Sequence, residues 1–132
     1  MLIVEEIGEM YMLFLCYPKC STCKKAQAFL DGKGLRYEVR DIKLANPDAD
    51  ELRVWWERSG LPLKRFFNTS GLQYKALGLK EKLPAMSEEE QLALLATDGM
   101  LVKRPMLIAD GFVLVGFRAD EWERVLENAA RA

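Results

Sequence analysis

The chain has 132 residues, a formal net charge of −1 and no histidine. The lack of imidazole excludes a Ser-His-Asp triad, a Cys-His dyad and every zinc site that uses histidine. The balanced charge gives no general attraction to nucleic acid or to an anionic membrane, and no run of about 18 apolar residues is present to cross a bilayer. No basic leading region of a signal peptide is visible. We therefore expect one domain, residues 1–132, that is monomeric and cytoplasmic and binds neither nucleic acid nor membrane directly.

The first third of the chain predicts a strand, a helix and a second strand. The apolar residues 11–16 indicate a buried strand, and apolar side chains at helical spacing after residue 23 predict a helix that ends at residues 31–34. Residues 35–42 alternate apolar with charged side chains, a pattern typical of a strand. These elements form a βαβ unit.

Two thiols lie where the first strand meets the helix, in the segment Cys20-Ser21-Thr22-Cys23. The free amides and the dipole of a helix N-terminus favour negative charge, so we expect a lowered pKa for Cys20, while Cys23 lies one turn further in and is more shielded. In a reducing compartment such a pair is more typical of catalysis or redox sensing than of a structural disulfide. A metal site is not expected, because a Cys-only site normally needs four thiolates and the third cysteine, Cys16, is predicted to be a buried apolar side chain.

The middle of the chain, residues 43–100, is predicted to be a helical insertion. Helices are expected over residues 46–57, 63–67, 72–77 and 87–95. Asn46 or Asp48 would cap the first of them, and Ser87 with Glu90 has the spacing of a capping box for the last.

The end of the chain predicts a hairpin and a final helix. Apolar runs at residues 106–109 and 112–115 are joined by Asp110-Gly111, which favours a tight turn, and a helix is expected over residues 120–127 with a short tail after it. The order βαβ, helical block, ββα is that of a thioredoxin-like (glutaredoxin-like) α/β fold with a mixed sheet. In such a fold Arg104-Pro105 precedes the third strand and faces the thiols. Pro105 is predicted to be cis, with a trans strand start as the alternative, and the head group of Arg104 is expected to reach solvent.

Several segments together resemble one known family. They are residues 17–26 around the two thiols, residues 66–71 with the sequence Phe-Phe-Asn-Thr-Ser-Gly, and Lys103-Arg104-Pro105 with Val115-Gly116-Phe117. In order and spacing these segments are similar to the arsenate reductase-like group, which includes the glutaredoxin-dependent arsenate reductases, the Spx transcriptional regulators and uncharacterised bacterial proteins. The resemblance spans residues 12–122. It leaves residues 1–11 outside, as an extension or a misassigned start.

The resemblance implies a thioredoxin-like fold and a nucleophilic role for Cys20. Arsenate reductases of this group hold their oxyanion with three arginines, of which only Arg104 is matched here. The positions of the other two hold Asn68 and Phe117, and asparagine supplies no charge. We therefore expect weak or no arsenate reduction unless Arg65 or Arg118 points inward. Asn68, Arg118 and Pro105 are the candidates for contacting the substrate.

Cys23 would act as an internal resolving thiol, as in the Spx regulators. The arsenate reductases instead recruit glutathione for this step. We therefore expect a small thiol-disulfide oxidoreductase in which Cys20 attacks, Cys23 resolves, and Arg104 stabilises Cys20 or an anionic substrate. It would hold no bound cofactor, act on a disulfide substrate, and take electrons from glutathione, a thioredoxin or a glutaredoxin. The alternative is a redox-sensing regulator that binds the RNA polymerase α subunit without turnover. Gly60 matches a glycine that makes this contact in Spx, although a helix C-cap explains Gly60 equally well and the second contact residue, an arginine, is absent.

Overall fold

The computed structural model of the protein describes residues 10–131, which divide into two compact units. The first unit comprises the chain up to Arg40 and from Arg104 onward, and the second unit is Asp41–Lys103. The second unit nearly coincides with the predicted helical insertion. The predicted extension of residues 1–11 lies outside the described residues except for its last two positions.

Four strands form one sheet in the order β2-β1-β3-β4. Strand β3 is antiparallel to both of its neighbours, with Leu107 opposite Phe14 on one side and opposite Leu114 on the other. The strand bounds are β1 Leu13–Cys16, β2 Glu38–Asp41, β3 Met106–Ile108 and β4 Val113–Val115. This strand order, with a helix between β1 and β2 and a hairpin at the end, confirms the thioredoxin-like α/β fold with a mixed sheet.

Within residues 10–131 the chain forms six α-helices and three short 3₁₀ helices. The α-helices are α1 Ser21–Gly32, α2 Ala49–Ser59, α3 Leu72–Ala76, α4 Leu79–Lys82, α5 Glu88–Leu95 and α6 Ala119–Arg131. The 3₁₀ helices are Leu63–Phe66, Leu83–Ala85 and Gly99–Leu101. None of the helices in this range is long and apolar enough to cross a membrane.

The core of the first unit is built around Trp122 of α6. Its side chain is completely buried, and its ring meets Phe14 and Phe117 edge-on at centroid distances of 6.4 and 5.0 Å. The indole N–H donates to the carbonyl of Gly116 at 3.0 Å, which satisfies the one polar atom of this side chain. Helix α6 is thereby fixed to the end of β4.

The second unit confirms the predicted capping box at Ser87 and contains a second one at Asp48, which was predicted only as one of two possible caps for its helix. Asp48 accepts from the backbone N–H of Glu51 and Ser87 from that of Glu90, and each glutamate returns a hydrogen bond to the backbone of its cap. Such a pair satisfies two of the free amides at a helix start. Helix α2 ends at Gly60, whose φ of 68° lies in the left-handed region that favours glycine.

The structure differs from these predictions in three places. Helix α6 continues through Arg131, where a short tail was expected after residue 127, because Ala130 is buried in the core of the first unit. Strand β2 spans only Glu38–Asp41 of the predicted residues 35–42, and its apolar residue Val39 is 51% exposed. Helix α4 and the 3₁₀ turn after it lie within the predicted helical block, but no separate bounds were predicted for them.

Candidate functional site

Cys20 is the N-cap of α1, at the point where the chain leaves β1 and enters the helix. Its side chain is half-buried, and its N–H donates to the carbonyl of Tyr17 at 2.9 Å. Burial opposes ionisation of this thiol. Hydrogen bonds from the backbone and side chain of Cys23, the positive charge of Arg104 and the backbone N–H of Thr22 together outweigh that cost, so the pKa of Cys20 lies below its ordinary value.

Cys23 lies in the first turn of α1 and is only 2% exposed. Its Sγ accepts a hydrogen bond from the backbone N–H of Tyr17 at 3.4 Å. Burial is the largest cause of a raised pKa at Cys23, and the neighbouring thiols Cys20 and Cys16 raise it further. The pKa values of the two thiols are therefore shifted in opposite directions, that of Cys20 downward and that of Cys23 upward.

Arg104 and Pro105 lie at the start of β3, and the peptide bond between them is cis, as predicted. Pro105 is buried, and its carbonyl accepts from the N–H of Gly116 at 2.8 Å. This hydrogen bond joins the start of β3 to the residue that follows β4. The backbone next to Arg104 is therefore fixed at the open end of the hairpin.

The guanidinium of Arg104 is less exposed than expected. Its Nε and Nη1 atoms are buried and have no hydrogen-bond partner among the described residues. Its Cζ lies over the ring of Tyr17 at 5.3 Å from the centroid. Buried guanidinium donors are normally paired, so the two unpartnered nitrogen atoms of Arg104 are an exception in the unit that carries the thiols.

The other predicted site residues lie just before α6 or in the second unit. Arg118 is exposed and lies immediately before α6, where its carbonyl accepts from the N–H of Trp122 at 3.0 Å. Asn68 belongs to the second unit, and its side-chain oxygen accepts from the hydroxyl of Ser70 at 3.3 Å. Arg65 is exposed in the same unit. A substrate contact by Asn68, Arg118 or Pro105 stays a prediction.

Tyr17 is a site residue that the sequence analysis did not single out. It contacts Cys20 and Cys23 through its backbone and Arg104 through its ring. Its place before the first thiol was visible in the sequence, but its contact with Arg104 depends on tertiary structure.

Cys16 is buried at the end of β1, as predicted. Across residues 10–131 no group of three or more His, Cys, Asp or Glu side chains is arranged to hold a metal ion. The site thus brings together, in one unit, two thiols whose pKa values are shifted in opposite directions and the guanidinium of Arg104.

The chain is similar to several known proteins. The model of the ArsC family matches residues 15–125. The chain is 51% identical over 116 residues to the uncharacterised protein YusI of Bacillus subtilis, an alignment that covers 86% of this chain and 97% of that protein. It is 30% identical to an arsenate reductase of Neisseria meningitidis, over 83% of this chain and 92% of the reductase. A crystal structure of an ArsC family related protein from Bacteroides fragilis superposes with a TM-score of 0.84 at 55% identity, covering 86% of this chain and 96% of the other.

Proposed function

Since this chain belongs to the ArsC family, we propose that it is a thiol-disulfide oxidoreductase in which Cys20 attacks the substrate and Cys23 resolves the intermediate. The observation that carries the proposal is the unequal placement of the two thiols, with Cys20 partly exposed at the N-cap of α1 and Cys23 buried inside the first turn. The pKa shifts follow this placement, downward at Cys20 and upward at Cys23. An accessible thiolate is the nucleophile in disulfide exchange, and a buried thiol is kept protonated until it is needed.

The reaction has two exchange steps. The Cys20 thiolate attacks one sulfur of a substrate disulfide, a mixed disulfide forms on Cys20, and the other half of the substrate leaves as a thiolate. Cys23 then loses its proton and attacks the Sγ of Cys20, which releases the second half of the substrate and leaves a Cys20–Cys23 disulfide. A dithiol or two glutathione molecules return this disulfide to the two thiols. The backbone hydrogen bond from Tyr17 to the Sγ of Cys23 supports the second step because it stabilises the developing thiolate.

Arg104 supplies the positive charge of the site. It lowers the pKa of Cys20, and its charge would attract an anionic group on the substrate. Arsenate reduction would be weak, because Arg65 and Arg118 are exposed and Asn68 carries no charge. The physiological donor would be glutathione, a thioredoxin or a glutaredoxin in the cytoplasm, where reducing conditions maintain both thiols.

The test is to treat the reduced protein with glutathione disulfide and to determine the masses of the products by mass spectrometry. The wild type should end as an internal disulfide, lighter by two hydrogen atoms. Cys23→Ser should stop as a glutathione adduct on Cys20, and Cys20→Ser should form neither product at a comparable rate. A wild-type protein that accumulates a stable glutathione adduct would show that Cys23 does not resolve. The Cys23→Ser variant can then be used in cell extract to trap the natural substrate on Cys20.

A second candidate function is that of an Spx-like redox sensor that binds the RNA polymerase α subunit without turnover. The observation in its favour is Gly60, which is exposed and has no atom within 4 Å of the position that a Cβ would occupy. Binding of purified α subunit that depends on the oxidation state of the two thiols, together with an absence of multiple turnovers, would favour this function over the enzyme.

A further inference from the structure

We infer that Tyr17 is a positioning residue, whose ring holds the Arg104 guanidinium in place without neutralising the positive charge that would attract an anionic substrate. The inference rests on the proposed function, since it assigns an anion-directing role to the cation beside Cys20. It concerns a residue outside both the thiol motif and the Arg-Pro pair.

The contact holds the cation without neutralising it. A carboxylate that held Arg104 would cancel its charge, and the site would lose its attraction for an anionic substrate. An aromatic ring attracts the cation through its face and carries no net charge of its own. In the structure the Cζ of Arg104 lies over the Tyr17 ring at 5.3 Å, and Nε and Nη1 have no partner among residues 10–131.

The backbone of Tyr17 connects this contact to both thiols. Its carbonyl accepts from the N–H of Cys20 at 2.9 Å, and its N–H donates to the Sγ of Cys23 at 3.4 Å. The ring that holds Arg104 is therefore carried by the same residue that fixes the two thiols. Tyr17 therefore connects the guanidinium to the backbone segment that carries the attacking sulfur.

The test compares how fast Cys20 attacks an anionic and a neutral disulfide. Dithiobis-nitrobenzoate carries two carboxylates, and dithiodipyridine carries no charge at neutral pH. The ratio of their two rate constants measures how well the site directs an anion, because changes in the intrinsic reactivity of Cys20 affect both rates. The measurement is made in the Cys23→Ser background, where only the first attack is observed. It therefore gives a result even if Cys23 does not resolve and the proposed function fails.

Tyr17→Leu should lower this ratio by about three- to tenfold, the size expected for loss of a partly desolvated cation–π contact. Tyr17→Phe keeps the ring and should retain the ratio to within about twofold. In an Arg104→Ala background the Tyr17→Leu change should have no further effect on the ratio, because the two residues act through one contact. If Tyr17→Leu does not fold, Tyr17→Met replaces it with the same expectation.

Two results would overturn the inference. One is a Tyr17→Leu protein with an unchanged ratio of rates, even if its melting temperature falls, since that would show a structural role alone. The other is an equal loss in the presence and absence of Arg104, which would show that Tyr17 acts through another group.

Discussion

The Arg104 guanidinium lies over the ring of Tyr17, with Cζ 5.3 Å from the ring centroid. This contact joins the start of β3 to the segment between β1 and α1 that carries both thiols. It places a positive charge near Cys20, where that charge contributes to the lowered pKa of the thiol. The same charge is left with two unpartnered donors, Nε and Nη1.

We predict that Arg104→Ala raises the pKa of Cys20 and changes the free energy of unfolding by less than about 1 kcal/mol. The variant loses a cation–π contact of about 0.5–1 kcal/mol, but it also removes two buried donors that have no partner. Arg104→Lys should restore the pKa better than it restores the rate toward anionic disulfides, because lysine lacks the planar fork of donors. The measurements are the pH dependence of thiol alkylation and thermal unfolding.

The matched control is Arg124→Ala, which removes the same charge from an exposed position on α6. It should leave the pKa of Cys20 unchanged. If Arg104→Ala unfolds the protein at moderate temperature and does not shift the thiol pKa, Arg104 is a structural residue and the site loses its cation.

We predict that arsenate is reduced weakly or not at all, even with glutathione and glutaredoxin supplied. Loss of charged bidentate partners for an oxyanion typically costs a few kcal/mol, or about two to three orders of magnitude in rate. The measurement is arsenite formation by the purified protein, with an arsenate reductase of the same family as the positive control. Turnover at a rate similar to the control would mean that Arg65 or Arg118 takes part in binding the oxyanion.

Gly99 should tolerate no side chain. A Cβ at this position would lie 1.7 Å from the carbonyl oxygen of Ile42 and 2.7 Å from its carbonyl carbon. Both are backbone atoms, so relieving the clash requires a shift of the main chain. Gly99→Ala should therefore destabilise the protein by about 3 kcal/mol or more, which lowers the melting temperature by roughly 10 °C. Gly32→Ala is the control, since nothing lies within 4 Å of its Cβ position and alanine has a higher helix propensity than glycine at the end of α1. Equal melting temperatures for the two variants would contradict the close approach of Gly99 to Ile42.

The raised pKa of Cys23 predicts a loss of stability at alkaline pH. The folded state keeps Cys23 protonated, whereas the unfolded chain ionises it near the ordinary value of 9.0. Its contribution is therefore fully present below about pH 9 and is lost as the pH rises through the folded-state value, with a slope of up to about 1.4 kcal/mol per pH unit. The lowered pKa of Cys20 acts in the opposite direction, because its contribution is present above the unfolded value and is lost only as the pH falls.

The measurement is denaturant unfolding with reductant present, at several pH values from 8 to 11, for the wild type and Cys23→Ala. The variant should show the flatter profile. Burial and a hydrogen bond to Asp31 raise the pKa of Tyr37 to about 12, but this residue is present in both proteins and cancels in the difference. Parallel profiles would mean that Cys23 is not held protonated by the fold.

Local signals in the sequence were enough to predict much of this structure. The capping box at Ser87, the hairpin at residues 110–111 and the placement of Cys20 at a helix start depend on residues within four positions of one another. The strand order followed because the succession of strands and helices admits few topologies.

Contacts between distant parts of the chain could not be predicted in this way. The Tyr17–Arg104 contact and the approach of Gly99 to Ile42 each depend on how separate elements pack, and a single sequence contains no local signal for either. For the same reason Arg104 was expected to reach solvent, whereas two of its nitrogen atoms are buried.

The most direct test of the whole account is the rate of iodoacetamide alkylation against pH at Cys20 and at Cys23, measured in Cys23→Ser and Cys20→Ser variants with Cys16 replaced by alanine. Cys20 should react faster at neutral pH and show an apparent pKa below the ordinary thiol value of 9.0, while Cys23 should react slowly and titrate above that value. Equal rates, or faster alkylation of Cys23, would contradict the assignment of Cys20 as the attacking thiol and Cys23 as the resolving one.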